Sequence, residues 1–187
     1  MTNGTMIQFF HWYTPGGGKL WKEIKEKAEY LSSLGITAAW LPPPYKSANG
    51  GLSPGYDVYD LFDLGEFDQK GTIPTKYGTK EELIAAVDAL HAHGIGVIGD
   101  VVLNHKGGGD ETEKVLAVKM DPENRLQPIS EPHEIEHIQN LHSPEEELNI
   151  QHLFGIINVS AVLIMITAQG KQRYLISSRY GGMTGKK

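Results

Sequence analysis

The sequence predicts an α/β fold built on a parallel sheet, and three observations predict it. Short apolar runs alternate with helical periods in the order strand, helix, strand, helix, strand, which is the pattern of βα units. Residues 96–105 run apolar and end in Asn104 and His105, with Asp100 set among them. A strand covered on both faces reads as such a continuous run, and α/β folds place ligands at its carboxyl end. Finally, Gly35 and Gly94 stop the two helical patterns immediately before the next apolar run, as residues just past a helix end do. Spacing alone leaves a closed barrel and a doubly wound sheet both open. The absence of Gly-x-Gly-x-x-Gly after the first strand counts against the dinucleotide-binding version.

Residues 6–10 read as the first strand, and Pro15 with Gly16, Gly17 and Gly18 make the following turn. Those glycines are no phosphate cradle, because Gly-Lys-Ser/Thr does not follow them. Over residues 20–34, Leu20, Ile24, Ala28, Leu31 and Leu34 share one helical face, while Lys22, Glu23, Lys25 and Glu26 face water. Residues 36–41 form a short strand, stopped by Pro42, Pro43 and Pro44, which cannot continue a ladder. A long loop then leads to residues 56–61. Thr79 with Glu82 three residues on is a capping box opening the second helix, whose buried face is Leu83, Val87 and Leu90. The strand carrying Asp100 follows.

A chain of 187 residues with 40% hydrophobic and 21% charged residues has the composition of a soluble globular protein. The net charge of −6 leaves no basic stripe to neutralise phosphates, so no nucleic-acid partner is expected. The absence of cysteine excludes disulfides, thiolate zinc sites and thiol catalysis, and fits a reducing compartment. No secretion signal is read at the amino terminus, and the longest apolar stretch, residues 156–166, is too short to span a bilayer. The expected compartment is therefore the cytoplasm, with no membrane partner.

Several motifs stand in one order: Gly4-Thr-Met-Ile-Gln-Phe-Phe-His-Trp-Tyr13, Leu34-Gly-Ile-Thr-Ala-Ala-Trp-Leu-Pro-Pro43, Gly55-Tyr-Asp-Val-Tyr-Asp-Leu61, Gly65-Glu-Phe67, Lys76-Tyr-Gly-Thr79 and Asp100-Val-Val-Leu-Asn-His105. Together they resemble the amino-terminal part of an α-amylase of glycoside hydrolase family 13, of the bacterial liquefying and intracellular type, over about residues 3–136. The resemblance implies a partial (β/α)8 TIM barrel comprising the first three strands, residues 1–105, followed by the start of an inserted small β domain, residues 106–136. By the same resemblance, Tyr56 is the aromatic platform for the sugar beside the scissile bond and His105 hydrogen-bonds hydroxyls of that sugar. Asp100 is a polar organiser beneath the catalytic carboxylates, Trp12 a floor residue of the site, and Asn104 a calcium ligand. The plain alternative for each is packing or loop anchoring.

The resemblance also implies what is missing. Retaining glycosidases use two carboxyl groups, one as nucleophile and one as acid/base. In this family they come from later barrel strands, whose motifs do not occur here, so no catalytic residue is assigned. Residues 137–187 do not read like the rest of the inserted domain. Re-cutting each codon from its third base restores a family-like reading from His137 onward. Met165 before an Ile codon and Met183 before a Thr codon are both forced to Asp. A one-nucleotide frameshift near codon 136 is the expectation, leaving residues 137–187 out of frame and not native-like.

The leading functional reading is thus a truncated α-amylase-like glycoside hydrolase. Its parent cleaves α-1,4-glucosidic bonds in starch, glycogen or maltodextrin by a retaining mechanism, and this chain is inactive as given. A second reading is a non-catalytic carbohydrate-binding or barrel-complementing fragment. The third, an unrelated nucleotide-dependent α/β enzyme, is disfavoured by the absent phosphate loops. Calcium belongs to the parent family. One Asn is far short of the six to eight oxygens that ion takes, so little binding by this chain is expected.

Overall fold

A computed structural model of the chain describes residues 4–103, 105–124, 126–139, 161–168 and 171–178. The elements run β1 (Met6–Gln8), α1 (Leu20–Ser33), β2 (Ala38–Leu41), β3 (Lys46–Ser47), β4 (Val58–Asp60), α2 (Lys80–Ala92), β5 (Gly96–Val102), β6 (Glu111–Ala117), β7 (His133–Gln139), β8 (Ala161–Ala168) and β9 (Lys171–Ser178). A five-stranded sheet has the order β1-β2-β5-β8-β9. Its first four strands are parallel, with Met6 opposite Ala38, Ala38 opposite Gly96 and Ile98 opposite Ala161; β9 returns antiparallel to β8. The three predicted parallel strands and both crossover helices are therefore present, the arrangement of a partial (β/α)8 barrel.

Each helix buries the stripe its sequence spells. On α1, Leu20, Ile24, Ala28 and Leu31 are buried, together with Trp21, which the periodic reading left out. Leu34 is a correction: it closes α1 as the C-cap and is 57% exposed, so the apolar stripe outruns the packed helix by one residue. On α2, Leu83, Ala86, Val87 and Leu90 are buried, and the capping box is complete, with the Glu82 N–H donating to Thr79 Oγ1 and the Thr79 N–H to Glu82 Oε2. The two helices pack with Ala39, Val97 and Val101 of the sheet into one core. Full burial of each such aliphatic side chain stabilises by roughly 1.5–3 kcal/mol.

Two strands end earlier than the sequence suggests. β1 stops at Gln8, although the Phe9 N–H still reaches the Trp40 carbonyl at 3.0 Å; Pro42, directly after Leu41, brings no N–H with which the ladder could continue. β5 stops at Val102, leaving Leu103 and His105 beyond the strand.

The stretch between β2 and α2 is more ordered than the long loop predicted. β3 and β4 pair antiparallel beside the carboxyl end of the sheet. Tyr45, Lys46, Leu64 and Tyr77 are buried there. The Lys46 ammonium lies fully buried, 2.6 Å from the carbonyls of Thr72 and Ile73, 3.1 Å from that of Phe67 and 3.2 Å from Asp63 Oδ2. After β5, the Gly107 N–H bonds the Val58 carbonyl, and Asp110 accepts from the Tyr59 hydroxyl and pairs with Lys70 at 2.8 Å. The antiparallel β6–β7 ribbon then forms a small sheet of its own.

Candidate functional site

Chemistry-bearing side chains gather at the carboxyl end of β1, β2 and β5, where a parallel α/β sheet holds ligands. Asp100 lies within β5 and is wholly buried. The Tyr56 hydroxyl donates to its Oδ2 at 2.7 Å. His105, exposed past the end of β5, lies with Nε2 2.8 Å from the Tyr56 carbonyl oxygen; since a carbonyl only accepts, that nitrogen carries the proton. Trp12, on the loop after β1, stacks parallel to Tyr56 with ring centroids 5.9 Å apart and planes within 9°. The chain reaches Tyr56 through Gly55, whose φ of 94° suits glycine and whose added Cβ would stand 2.7 Å from Pro43 Cβ.

Burial pushes the Asp100 carboxyl up to about 6, against the Tyr56 hydroxyl and the Trp40 indole N–H, which both favour the carboxylate. Asp100 Oδ1 and Trp40 Nε1 are nevertheless each buried outside hydrogen-bonding geometry with any described residue. Burial and the neighbouring Asp100 charge raise the Tyr56 hydroxyl far above the usual tyrosine value, so it stays a neutral donor.

The arrangement offers flat aromatic faces and polar edges, the chemistry a sugar ligand would use. Aromatic rings offer flat apolar faces, suited to the apolar C–H faces of a pyranose. A sugar cannot lie between Trp12 and Tyr56, because two contacts of 3.5–4.0 Å would need about 7–8 Å between the rings. It must therefore stack on an outer face, and Trp12, 63% exposed, presents one. The buried Asp100 holds Tyr56 and has no accessible oxygen with which to attack a substrate.

Trp12, Tyr56, Asp100 and His105 are thus brought together, whereas Asn104 lies outside the described residues. Sequence reasoning missed Trp40, which packs edge-on against Phe10 at 5.4 Å and places its indole N–H near Asp100. The available signal was a tryptophan near the carboxyl end of an otherwise small, apolar strand. Among the described residues no group of three or more His, Asp or Glu side chains converges to hold a metal. Those residues do not fit a calcium site by themselves. Among the described residues, no helix is long and apolar enough to cross a membrane.

The family profile described as the alpha amylase catalytic domain matches residues 6–137. The chain is 57% identical over 127 residues to the cytoplasmic alpha-amylase of Escherichia coli (strain K12), a match covering 68% of this chain and 26% of that protein. To the alpha-amylase of Bacillus licheniformis it is 51% identical over 142 residues, covering 76% and 28% respectively. Among solved structures, alternansucrase in complex with isomaltotriose superposes with a TM-score of 0.57 at 28% identity, covering 68% of this chain and 12% of that one. The chain spans about a quarter of the length of these amylase relatives. With a family match running from β1 through most of β7, this chain belongs to the alpha-amylase catalytic-domain family, the α-amylases of glycoside hydrolase family 13.

Proposed function

We propose that this chain carries the sugar-gripping part of an α-glucan-hydrolysing site and is catalytically silent by itself. The observation supporting this most directly is the linked set Trp12, Tyr56, Asp100 and His105 at the sheet's carboxyl end. The activity to which the set belongs is endo-hydrolysis of α-1,4-glucosidic bonds in starch, glycogen or maltodextrin by double displacement, with cytoplasmic glucan as the substrate pool. That reaction needs a nucleophile and an acid/base about 5–5.5 Å apart across the bond. Asp100, buried and bonded by Tyr56, fills neither role. Tyr56 and Trp12 supply stacking, and His105 supplies a ring edge for sugar hydroxyls. Calcium belongs to the family, and Asn104 would give it one neutral oxygen; the described residues do not complete a site, so no step involves it.

Release of reducing ends from soluble starch by the purified 187-residue chain tests the reading. No turnover is expected, and sustained turnover would overturn it. The second reading, a fragment that binds glucan or completes a barrel with another chain, is favoured by β1, which stands at the edge of the sheet. Activity appearing on mixing with a separately produced remainder of the barrel would select that reading.

We read residues 137–187 as out of frame. β8 pairs with β5 through backbone groups, which any β-prone apolar run can offer, so this pairing requires no evolved packing. Sequencing the gene across codons 130–190 decides the point: the idea fails if the shifted register holds no uninterrupted amylase frame.

A further inference from the structure

We propose that Tyr45 is a positioning residue for this site: its hydroxyl oxygen takes the place of a ladder acceptor at Val102 and thereby fixes the end of β5, from which the chain goes on to His105 and its contact with Tyr56. The β2–β5 ladder ends with Leu41 opposite Gly99. Past Leu41 the ladder is not continued: Pro42, Pro43 and Pro44 bring no N–H to it, and the Val102 N–H goes to the Tyr45 hydroxyl rather than to one of their carbonyls. Three residues past Gly99, the buried Val102 N–H would face the space β2 has vacated. The Tyr45 ring, itself 1% exposed, fills that space and its oxygen accepts the Val102 N–H at 2.7 Å. The backbone beside the ring is held in turn. Lys46, the next residue, is anchored by Asp63 and three carbonyls, and its N–H donates to the Asp63 carbonyl at 2.8 Å.

From Val102 only three residues lead to His105, whose ring reaches the Tyr56 carbonyl, and Tyr56 returns to Asp100 within the same strand. The contacts therefore close a circuit: Tyr45 to Val102, along the chain to His105, across to Tyr56 and back to Asp100. Tyr45 touches no other member of the aromatic cluster by hydrogen bond, so its influence passes through the β5 terminus. Burial raises its hydroxyl far above the usual tyrosine value, which keeps the oxygen a neutral acceptor. The functional weight of the circuit rests on the sugar-binding reading above; the geometric claim does not.

The test is Tyr45→Phe in the 187-residue chain, which keeps the ring and removes the oxygen. Amide exchange and side-chain signals are followed by NMR, and maltoheptaose affinity by tryptophan fluorescence. The Val102 amide should exchange at least about tenfold faster, as loss of a neutral hydrogen bond allows. The His105 and Tyr56 ring signals should shift, and maltoheptaose should bind several-fold more weakly. Ser32→Ala, which removes the bond from Ser32 Oγ to the His93 carbonyl at the opposite end of the sheet, should leave those ring signals in place. Unchanged Val102 exchange together with unmoved His105 and Tyr56 signals would overturn the proposal. If Tyr45→Phe does not fold, the unaltered chain decides: Val102 must exchange as slowly as Val101, and rapid exchange there refutes the bond. If the unaltered chain fails to bind maltoheptaose while the ring signals respond to Tyr45→Phe, the sugar reading falls and the positioning role stands.

Discussion

A carboxyl buried beside a tyrosine hydroxyl makes Asp100 the residue whose charge matters most here. Its folded-state value of about 6 lies above the usual carboxylate value of about 3.9. Below pH 4 the group is protonated in folded and unfolded chains alike and its burial is tolerated. As pH rises through 6 the folded chain must hold a buried carboxylate, and that stability is lost. Asp100→Asn should therefore gain up to about 3 kcal/mol over the unaltered chain above pH 6, with the advantage vanishing below pH 4. Urea unfolding at pH 4 and pH 7.5 measures this; an advantage independent of pH would contradict it. Removing the donor with Tyr56→Phe should move the Asp100 midpoint further upward, visible in the carboxyl carbon signal across a pH titration. Asp100, Tyr56 and His105 were legible in the sequence because strand-end polarity and an ordered set of motifs both marked them. Trp40 and Tyr45 were not, since a tryptophan in a short strand and a tyrosine after prolines are ordinary core residues until the sheet brings them beside β5.

The helices were the most readable elements, because their signals are local and repeated. Thr79 and Glu82 announced the start of α2, and the structure returns both capping bonds. Glu82 does more than cap: its other oxygen pairs with Lys22 of α1 at 2.8 Å, fastening the two helices at that end. Thr79→Ala should cost about 1 kcal/mol in a thermal or urea melt. Glu82→Gln, which keeps an oxygen for the cap and loses a largely solvated pair, should cost less than Thr79→Ala. β3 and β4 escaped the sequence reading because two and three residues are too few to show a period. Lys46 concealed the ribbon further, since hydropathy places lysine in water. Its ammonium is compensated by Asp63 and three carbonyls. Lys46→Met, which leaves Asp63 buried and unpaired, should therefore cost about 3–5 kcal/mol. Joining Asp63→Leu to it should recover part of that loss.

Across the molecule, the described residues contain one well-packed face and much uncovered apolar surface. Trp12, Tyr13, Leu52, Leu116 and Leu126 are each more than 60% exposed. Surface of this kind, with β1 at an unpaired sheet edge, favours self-association. The chain should bind a fluorescent apolar dye and elute partly as oligomers, in a proportion that rises with concentration; a monomer that binds no dye and elutes alike at every concentration would contradict this. The class of fold was legible because βα alternation is written along the whole chain. Which strands would lie at an edge was not, since that depends on partners separated widely in sequence. The caged amine of Lys46 also makes the chain its own recorder of opening. Sixteen other lysines and arginines lie along the sequence, and the exposed lysines among them should react at once with an amine-acylating reagent. Lys46 should acquire the label only in molecules whose loop over residues 63–73 has come away. Its labelling rate, read by mass spectrometry, would then clock the release of that loop without any added probe.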